Sequence, residues 1–508
     1  MFKVFNNLFL RIAFSLLLSS FTQQIFTAPG DLDTTFNSSG AQPGSKIFKI
    51  DPAEQNSSCV GLTLQEDGKI VLAGAAMIDG ADRLALARLN PDGTFDEAFN
   101  GSGKKTVKID PSELRSDGMK VAIQNDGKIV VFGNVQVTSG FETITKFALA
   151  RFEVNGDLDT TFNATGIGGQ PGTASIEIQN STETKCYGGV IQNDGKIVLA
   201  GYARVDDIYQ FAVARFNADG TLDEDGFNAE GTQKGVALLS IDNNNIDDQC
   251  YSITLDADEK IVVAGYTTTI IDSNSVKKFG VARLNHNGTL DEENFNAESL
   301  QKRGTASTTI DNNSENSCYA ILIQSDGRIV LTGSTYDSVN EVNKFAAARF
   351  NSDGTLDENG FNSGGIQKGT VSTSIANMYS SAGYSGALQV NGKILVTGMS
   401  FSEEPGFQIA RFNENGSLDT TFNPEGVLPG TVSVKIDASS QSNIVYASKI
   451  QADGNIVLAG YIYSDGIAQF AVARFIGDTI LIDSDPTMPQ ASDLFTTRLI
   501  EKYGPLFA

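Results

Sequence analysis

Asp67-Gly68-Lys69-Ile70-Val71-Leu72-Ala73-Gly74 is the stretch on which the fold turns, because it returns six more times along the 508-residue chain. Its counterparts start at Asp126, Asp194, Asp258, Asp326, Asn391 and Asp453, spaced 59, 68, 64, 68, 65 and 62 residues apart. Asp-Gly or Asn-Gly between two apolar runs marks a tight hairpin, since glycine accepts the positive φ that such a turn requires. One copy departs from this, with Asp258-Glu259 in place of Asp-Gly.

Each phrase is flanked by three further strand-like runs. An alternating run comes first, as in Thr106 to Asp110 or Thr431 to Ile436, and a second follows, as in Val121 to Gln124. After the Asp-Gly phrase comes Phe211-Ala212-Val213-Ala214-Arg215-Phe216 or a variant of it, seven times in all. Its Phe, Val and Arg share one face of a strand and its alanines the other. Small residues on one face let a neighbouring sheet approach closely. Seven four-stranded antiparallel units of about this period predict an all-β, seven-bladed β-propeller. An open stack would need atypical polar end repeats, and the terminal copies are ordinary. Gly30 to Asn37 matches the connector that follows the last run elsewhere, for example Gly156 to Asn163, and no such connector follows Phe475. The N-terminal connector segment is therefore expected to close the ring.

The phrases Ile191 to Gly201 and Ala214 to Asp223, repeated from about residue 30 to 475, resemble the delta-60 repeat family of bacterial β-propeller repeats. The resemblance implies a secreted or surface-associated propeller and carries over no catalytic residues. Residues 1–28 read as a signal peptide, with Lys3, Arg11 and the apolar run Ile12 to Leu18. Cleavage after Ala28 or after Ser20 both stand, as does an uncleaved anchor. Residues 29–477 form the propeller, and 478–508 a linker with Pro486 and Pro489 and a short helix from Ser492 to Tyr503.

Lys plus Arg number 37 against 61 Asp plus Glu, a net charge of −24. Such a surface repels phosphate backbones and anionic lipid, arguing against nucleic acid. No stretch after the signal is long and apolar enough to span a membrane. A secreted or cell-envelope monomer is expected.

Seven arginines share one repeat position: Arg88, Arg151, Arg215, Arg283, Arg349, Arg411 and Arg474. Seven aspartates share another: Asp33, Asp96, Asp159, Asp223, Asp291, Asp357 and Asp419. Guanidinium forks match carboxylates, so these read as structural pairs pinning each connector to its blade rather than as an anion-binding ring. Asn217-x-Asp219-Gly220-x-x-Asp223 has calcium-like spacing, but Asn287-Gly288 and Asn415-Gly416 replace the Asp elsewhere, as turn chemistry allows. No cofactor is expected, with calcium as the alternative. Cys59, Cys186, Cys250 and Cys318 precede the second run of different repeats and read as small buried residues, unless that strand end lies near the central channel. His286, the single histidine, sits in a turn, which argues against histidine metal sites and a Ser-His-Asp triad.

The copies differ most in two sets of polar loops that share one rim: between the first and second runs Pro52–Ser58, Asn180–Lys185, Asn243–Gln249, Asn312–Ser317 and Ala438–Asn443, and between the third and fourth Arg204–Tyr209, Thr267–Lys277 and Tyr336–Asn343. The expected function is non-enzymatic binding of a protein or glycan by this variable face. The alternatives are a carboxylate-based glycan hydrolase or lyase with a central-channel site, and a purely structural envelope protein. Acidic residues of one or two blades meeting at the axis would favour the enzyme, and a uniform lining would favour binding.

Overall fold

The structure, a computed structural model, describes residues 28–53, 56–243, 246–299, 302–375, 380–401 and 405–478. The proposed signal peptide and C-terminal helix lie outside the described residues.

Twenty-eight strands, numbered β1 to β28 along the chain, form seven four-stranded sheets among these residues. Blade 1 is β2 (Ser57–Leu64), β3 (Ile70–Ile78), β4 (Ala81–Leu89) and β5 (Lys104–Val107), in that spatial order. Five more blades repeat this meander, and blade 7 takes β26 (Ser442–Ile450), β27 (Ile456–Ser464) and β28 (Ile467–Phe475). Its fourth strand is β1 (Ser45–Phe48), paired antiparallel to β28 with Ser45 opposite Ala473. The chain is a seven-bladed β-propeller, closed by its own N-terminal segment. Gly30 N–H donates to the Ile476 carbonyl and Asp33 N–H to that of Arg474, tying the first connector to the last blade.

The run read first in each repeat, such as Thr106-Val107, is the outermost strand of the preceding blade. The sequence repeat and the blade are thus offset by one strand, and every junction between repeats lies within a sheet.

Seven apolar clusters fill the spaces between adjacent blades. Along β3, Ile70 and Leu72 face the blade 7 side with Val457, Phe470 and Val472, while Val71 and Ala73 face blade 2 with Val131 and Ala148. A strand buried on both faces reads as an uninterrupted apolar run, which is why Ile-Val-Leu-Ala carries no alternation. Ring closure places a cluster of the same kind between the first and last blades.

Three of the polar segments read as variable loops, Asn180–Lys185, Arg204–Tyr209 and Thr267–Lys277, are largely strand, and the others keep a loop of several residues. Arg204 and Val205 end one strand, Ile208 begins the next, and Asp206-Asp207 turn between them with φ of 50° and 63°. Thr267–Lys277 is likewise a long hairpin with its turn at Asp272-Ser273. Along these strands buried positions are taken by polar residues such as Thr184, Thr267 and Thr269, so their side chains conceal the strand pattern.

Candidate functional site

The inner strands of blades 1 to 7 are β2, β6 (Glu113–Ile123), β10 (Ser181–Ile191), β14 (Asp247–Leu255), β18 (Glu315–Ile323), β22 (Ser380–Leu388) and β26. All seven share a bulge at the equivalent position, where pairing skips Val60, Met119, Tyr187, Tyr251, Tyr319, Tyr384 or Tyr446, and β6 and β10 carry a second one nearer their start. The glycine that ends the repeated phrase lies opposite. A Cβ on Gly74, Gly265 or Gly460 would stand 1.9, 1.8 or 1.7 Å from a carbonyl oxygen of the bulged strand. Only glycine allows that approach, and a bulge re-aims the side chain it carries.

In five successive blades the re-aimed residue is tyrosine. Ring centroids are 4.5 Å apart for Tyr187 and Tyr251, and 5.1 Å for Tyr251–Tyr319, Tyr319–Tyr384 and Tyr384–Tyr446. Tyr202, Tyr266 and Tyr461 back this arc from the second strands of their blades, at 5.9 to 6.0 Å. Burial holds the hydroxyl groups of the arc above their usual pKa, with Tyr187 and Tyr384 pushed up to about 12. The arc and the blade 1 and 2 residues Val60, Asp82, Asp117 and Met119 enclose a cup of about 520 Å³ on the axis, at the rim that bears the polar hairpins.

The cup opens sideways into a groove of about 410 Å³ over blades 2 and 3, lined by Arg115, Gln136, Glu183 and Lys185. Glu183 accepts hydrogen bonds from Tyr202 (3.0 Å) and Tyr209 (2.6 Å). Asp117 accepts one from Asn134 Nδ2 at 2.9 Å, and burial pushes its carboxyl above the usual range. Lys120 borders both the cup and the channel of about 630 Å³ below it. Its ammonium donates to the Tyr446 carbonyl at 3.4 Å, and burial and then Lys449 lower its pKa to about 8. The lining is therefore asymmetric: aromatic over five blades, charged over the first three.

The seven arginines and seven aspartates of the repeat lie on the opposite rim. Arg88, Arg151, Arg215, Arg283, Arg349, Arg411 and Arg474 stand 2.6 to 2.8 Å from Asp96, Asp159, Asp223, Asp291, Asp357, Asp419 and Asp33. Each guanidinium also lies over a connector phenylalanine at 4.4 to 5.0 Å. Six of them reach a carbonyl of the next connector around the ring, as Arg349 does to Glu414 at 2.5 Å. Arg411 finds the Asp478 carboxylate instead, at 2.8 Å. In the calcium-like connector, Asp219 accepts from Thr221, and Asp223 pairs with Arg215 and Lys196. Both carboxylates already have partners. Among the described residues no group of three or more Asp, Glu, His or Cys could hold a metal ion.

The four cysteines are free and buried, each in a different inter-blade cluster, with the Cys59 and Cys250 thiols pushed up to about 12 by burial. They sit one residue before the bulge, facing away from the axis. Sequence reasoning stopped there. The next residue, tyrosine in five of seven repeats, is the signal that locates the cup.

Seven segments, residues 65–99, 124–162, 192–225, 257–293, 324–359, 389–422 and 451–476, match the family model described as "Domain of unknown function (DUF5122) beta-propeller". Repeats matching this model are found in every blade, consistent with a β-propeller repeat family. No curated protein matches it. Among solved structures it is similar to Sqt1 of Chaetomium thermophilum (11% identity, TM-score 0.40, 85% of this chain and 98% of that one). It is similar also to an ulvan lyase (10%, 0.42, 92% and 99%) and to virginiamycin B lyase from Staphylococcus aureus (9%, 0.36, 84% and 99%).

Proposed function

We propose that this protein is an exported, non-enzymatic binding propeller that recognises a glycan chain through the tyrosine cup and its side groove. One observation carries the reading: five contiguous tyrosines, each placed by a bulge, line an axial cup on the hairpin-bearing rim. Tyrosine offers an apolar face to the C–H side of a sugar ring and a hydroxyl to its edge. The groove gives the neighbouring units of a chain a path outward, lined by groups that donate and accept hydrogen bonds. Asp82 and Asp117 of blades 1 and 2 border the cup, the placement that would suit an enzyme; what supports binding instead is that Asp117 is held by Asn134 and Glu183 by two tyrosine hydroxyls, while the tyrosine arc fills the rest of the lining. The quoted repeat phrases support reading the repeats as those of the delta-60 family, and the signal-like N-terminus supports export.

The test is a glycan array probed with the full chain and with Tyr319→Ala. Saturable binding to at least one glycan class, weakened tenfold or more by the substitution with the melting curve intact, is the expected result. Release of shortened sugars from a bound glycan would replace this reading with the enzymatic one.

A further inference from the structure

At the residue following the bulge, six inner strands carry Gly61, Gly188, Ser252, Ala320, Ser385 or Ala447, and the seventh carries Lys120. The blades on either side have glycine there. A Cβ on Gly61 would stand 3.0 Å from Lys120 Cα, and one on Gly188 would stand 3.5 Å from Lys120 Cγ. The lysine thus has a berth between two glycines and extends across the axis from blade 2 to the Tyr446 carbonyl of blade 7.

Its charge is not answered. No carboxylate lies within ion-pair distance of Lys120 among the described residues, and the 3.4 Å bond to one carbonyl is long. Lys449, which faces the same channel, adds a second positive charge and has no ion pair there either. This occurs in a chain with an excess of 24 negative charges. Lys120 is half-buried, so its ammonium and that of Lys449 give the axial channel a positive charge that no carboxylate among the described residues answers. The other charged groups bordering the cup lie at its side: Asp82, Asp117 and Lys185. Burial favours the neutral form of Asp117, which limits its repulsion of an incoming anion.

Resting on the glycan reading above, we infer that the cup takes a hexuronate unit of an acidic polysaccharide, its pyranose ring against the tyrosine arc and its carboxylate on Lys120 Nζ. The aromatic arc accounts for the ring, the lone ammonium beneath it for the acid, and the groove for the next sugars of the chain.

The experiment is calorimetric titration of the full chain with uronate oligomers (oligogalacturonate and oligoguluronate) and with the same oligomers after reduction of their carboxyl groups. The expected result is at least tenfold tighter binding of one acidic oligomer than of its reduced form. Lys120→Met should erase that preference, lose tenfold or more for the acidic oligomer, and leave the reduced one within twofold. Its melting temperature should be equal to or above that of the parent, because an unanswered charge has gone. Lys120→Arg should retain part of the preference. Equal binding of acidic and reduced oligomers, or a preference untouched by Lys120→Met, would overturn the uronate inference and leave glycan binding standing. A lowered melting temperature for Lys120→Met with the preference intact would make the lysine structural. Binding to neither form, nor to any glycan on an array, would sink both readings.

Discussion

Lys120 connects stability, recognition and pH in one side chain. Its pKa is lowered from 10.5 to about 8, first by burial and then by Lys449. Between those values the unfolded chain keeps a proton that the folded chain has released, so stability rises with pH across about 8 to 10.5. The proposed uronate binding is expected to show the opposite trend, weakening as the ammonium is lost above about pH 8. Lys120→Met should flatten both dependences, as measured by chemical denaturation and by titration at pH 7 and pH 9.5. Lys449 faces the same channel and adds to the shift of Lys120, so Lys449→Met serves as the control for its share of the slope. The bulge glycines are a second residue-scale constraint. In Gly265→Ala the new methyl would lie 1.8 Å from the Gln249 carbonyl oxygen. The bulge must then shift, at a cost of about 1–3 kcal/mol or more as in other overpacked sites, and Tyr251 turns out of the arc. The expected observation is a lower melting temperature together with weaker glycan binding. Gly466→Ala, at a turn where an added Cβ meets nothing within 4 Å but φ is +77°, should cost only the turn strain and leave binding unchanged.

At the scale of elements, the connector is a repeated staple. Arg349 and Asp357 are 1% and 9% exposed and 2.8 Å apart. The same guanidinium lies 4.9 Å from the Phe361 ring and donates to the Glu414 carbonyl of the next connector. Arg349→Met removes the nearer cation of Asp357, which keeps Arg328 at 3.6 Å, so the loss should fall below the roughly 3–5 kcal/mol typical of a fully broken buried pair. Arg349→Lys keeps the charge but not the planar fork, so it should recover only part of that loss in an unfolding titration. The register of these pairs is legible in sequence because arginine and aspartate recur eight residues apart through six connectors, and the seventh aspartate, Asp33, lies at the far end of the chain. The strands are legible for the same reason, since periodicity repeated seven times averages out local ambiguity. The cup was not. Its tyrosines lie at a bulge, where strand alternation breaks, and a pattern argument discards the residue that breaks the pattern. Parts of the polar hairpins were read as loops because their buried positions are filled by polar side chains such as Thr184, Thr267 and Thr269, so no apolar alternation marks them as strand.

On the scale of the whole molecule, the ring depends on a contact between residues over 400 positions apart. β1 supplies the outer strand of blade 7, Phe48 packs on Phe470 and Phe95 with centroids 5.5 and 5.0 Å apart, and Asp33 answers Arg474. A chain lacking residues 28–50 would leave β28 with an unpaired edge and Arg474 without its carboxylate. An exposed edge strand is a template for pairing with another chain, and the loss of Phe48 alone removes a buried aromatic worth about 3–5 kcal/mol. The full chain is expected to elute as a monomer with a single melting transition, because every inter-blade cluster has a neighbour on both sides. The truncated chain should elute as oligomers and melt earlier and more broadly, and adding a peptide of residues 28–50 in trans should restore part of the lost stability. An unchanged elution volume and melting curve after truncation would mean that the last blade holds without its fourth strand, and that inter-blade packing rather than strand exchange keeps the ring shut.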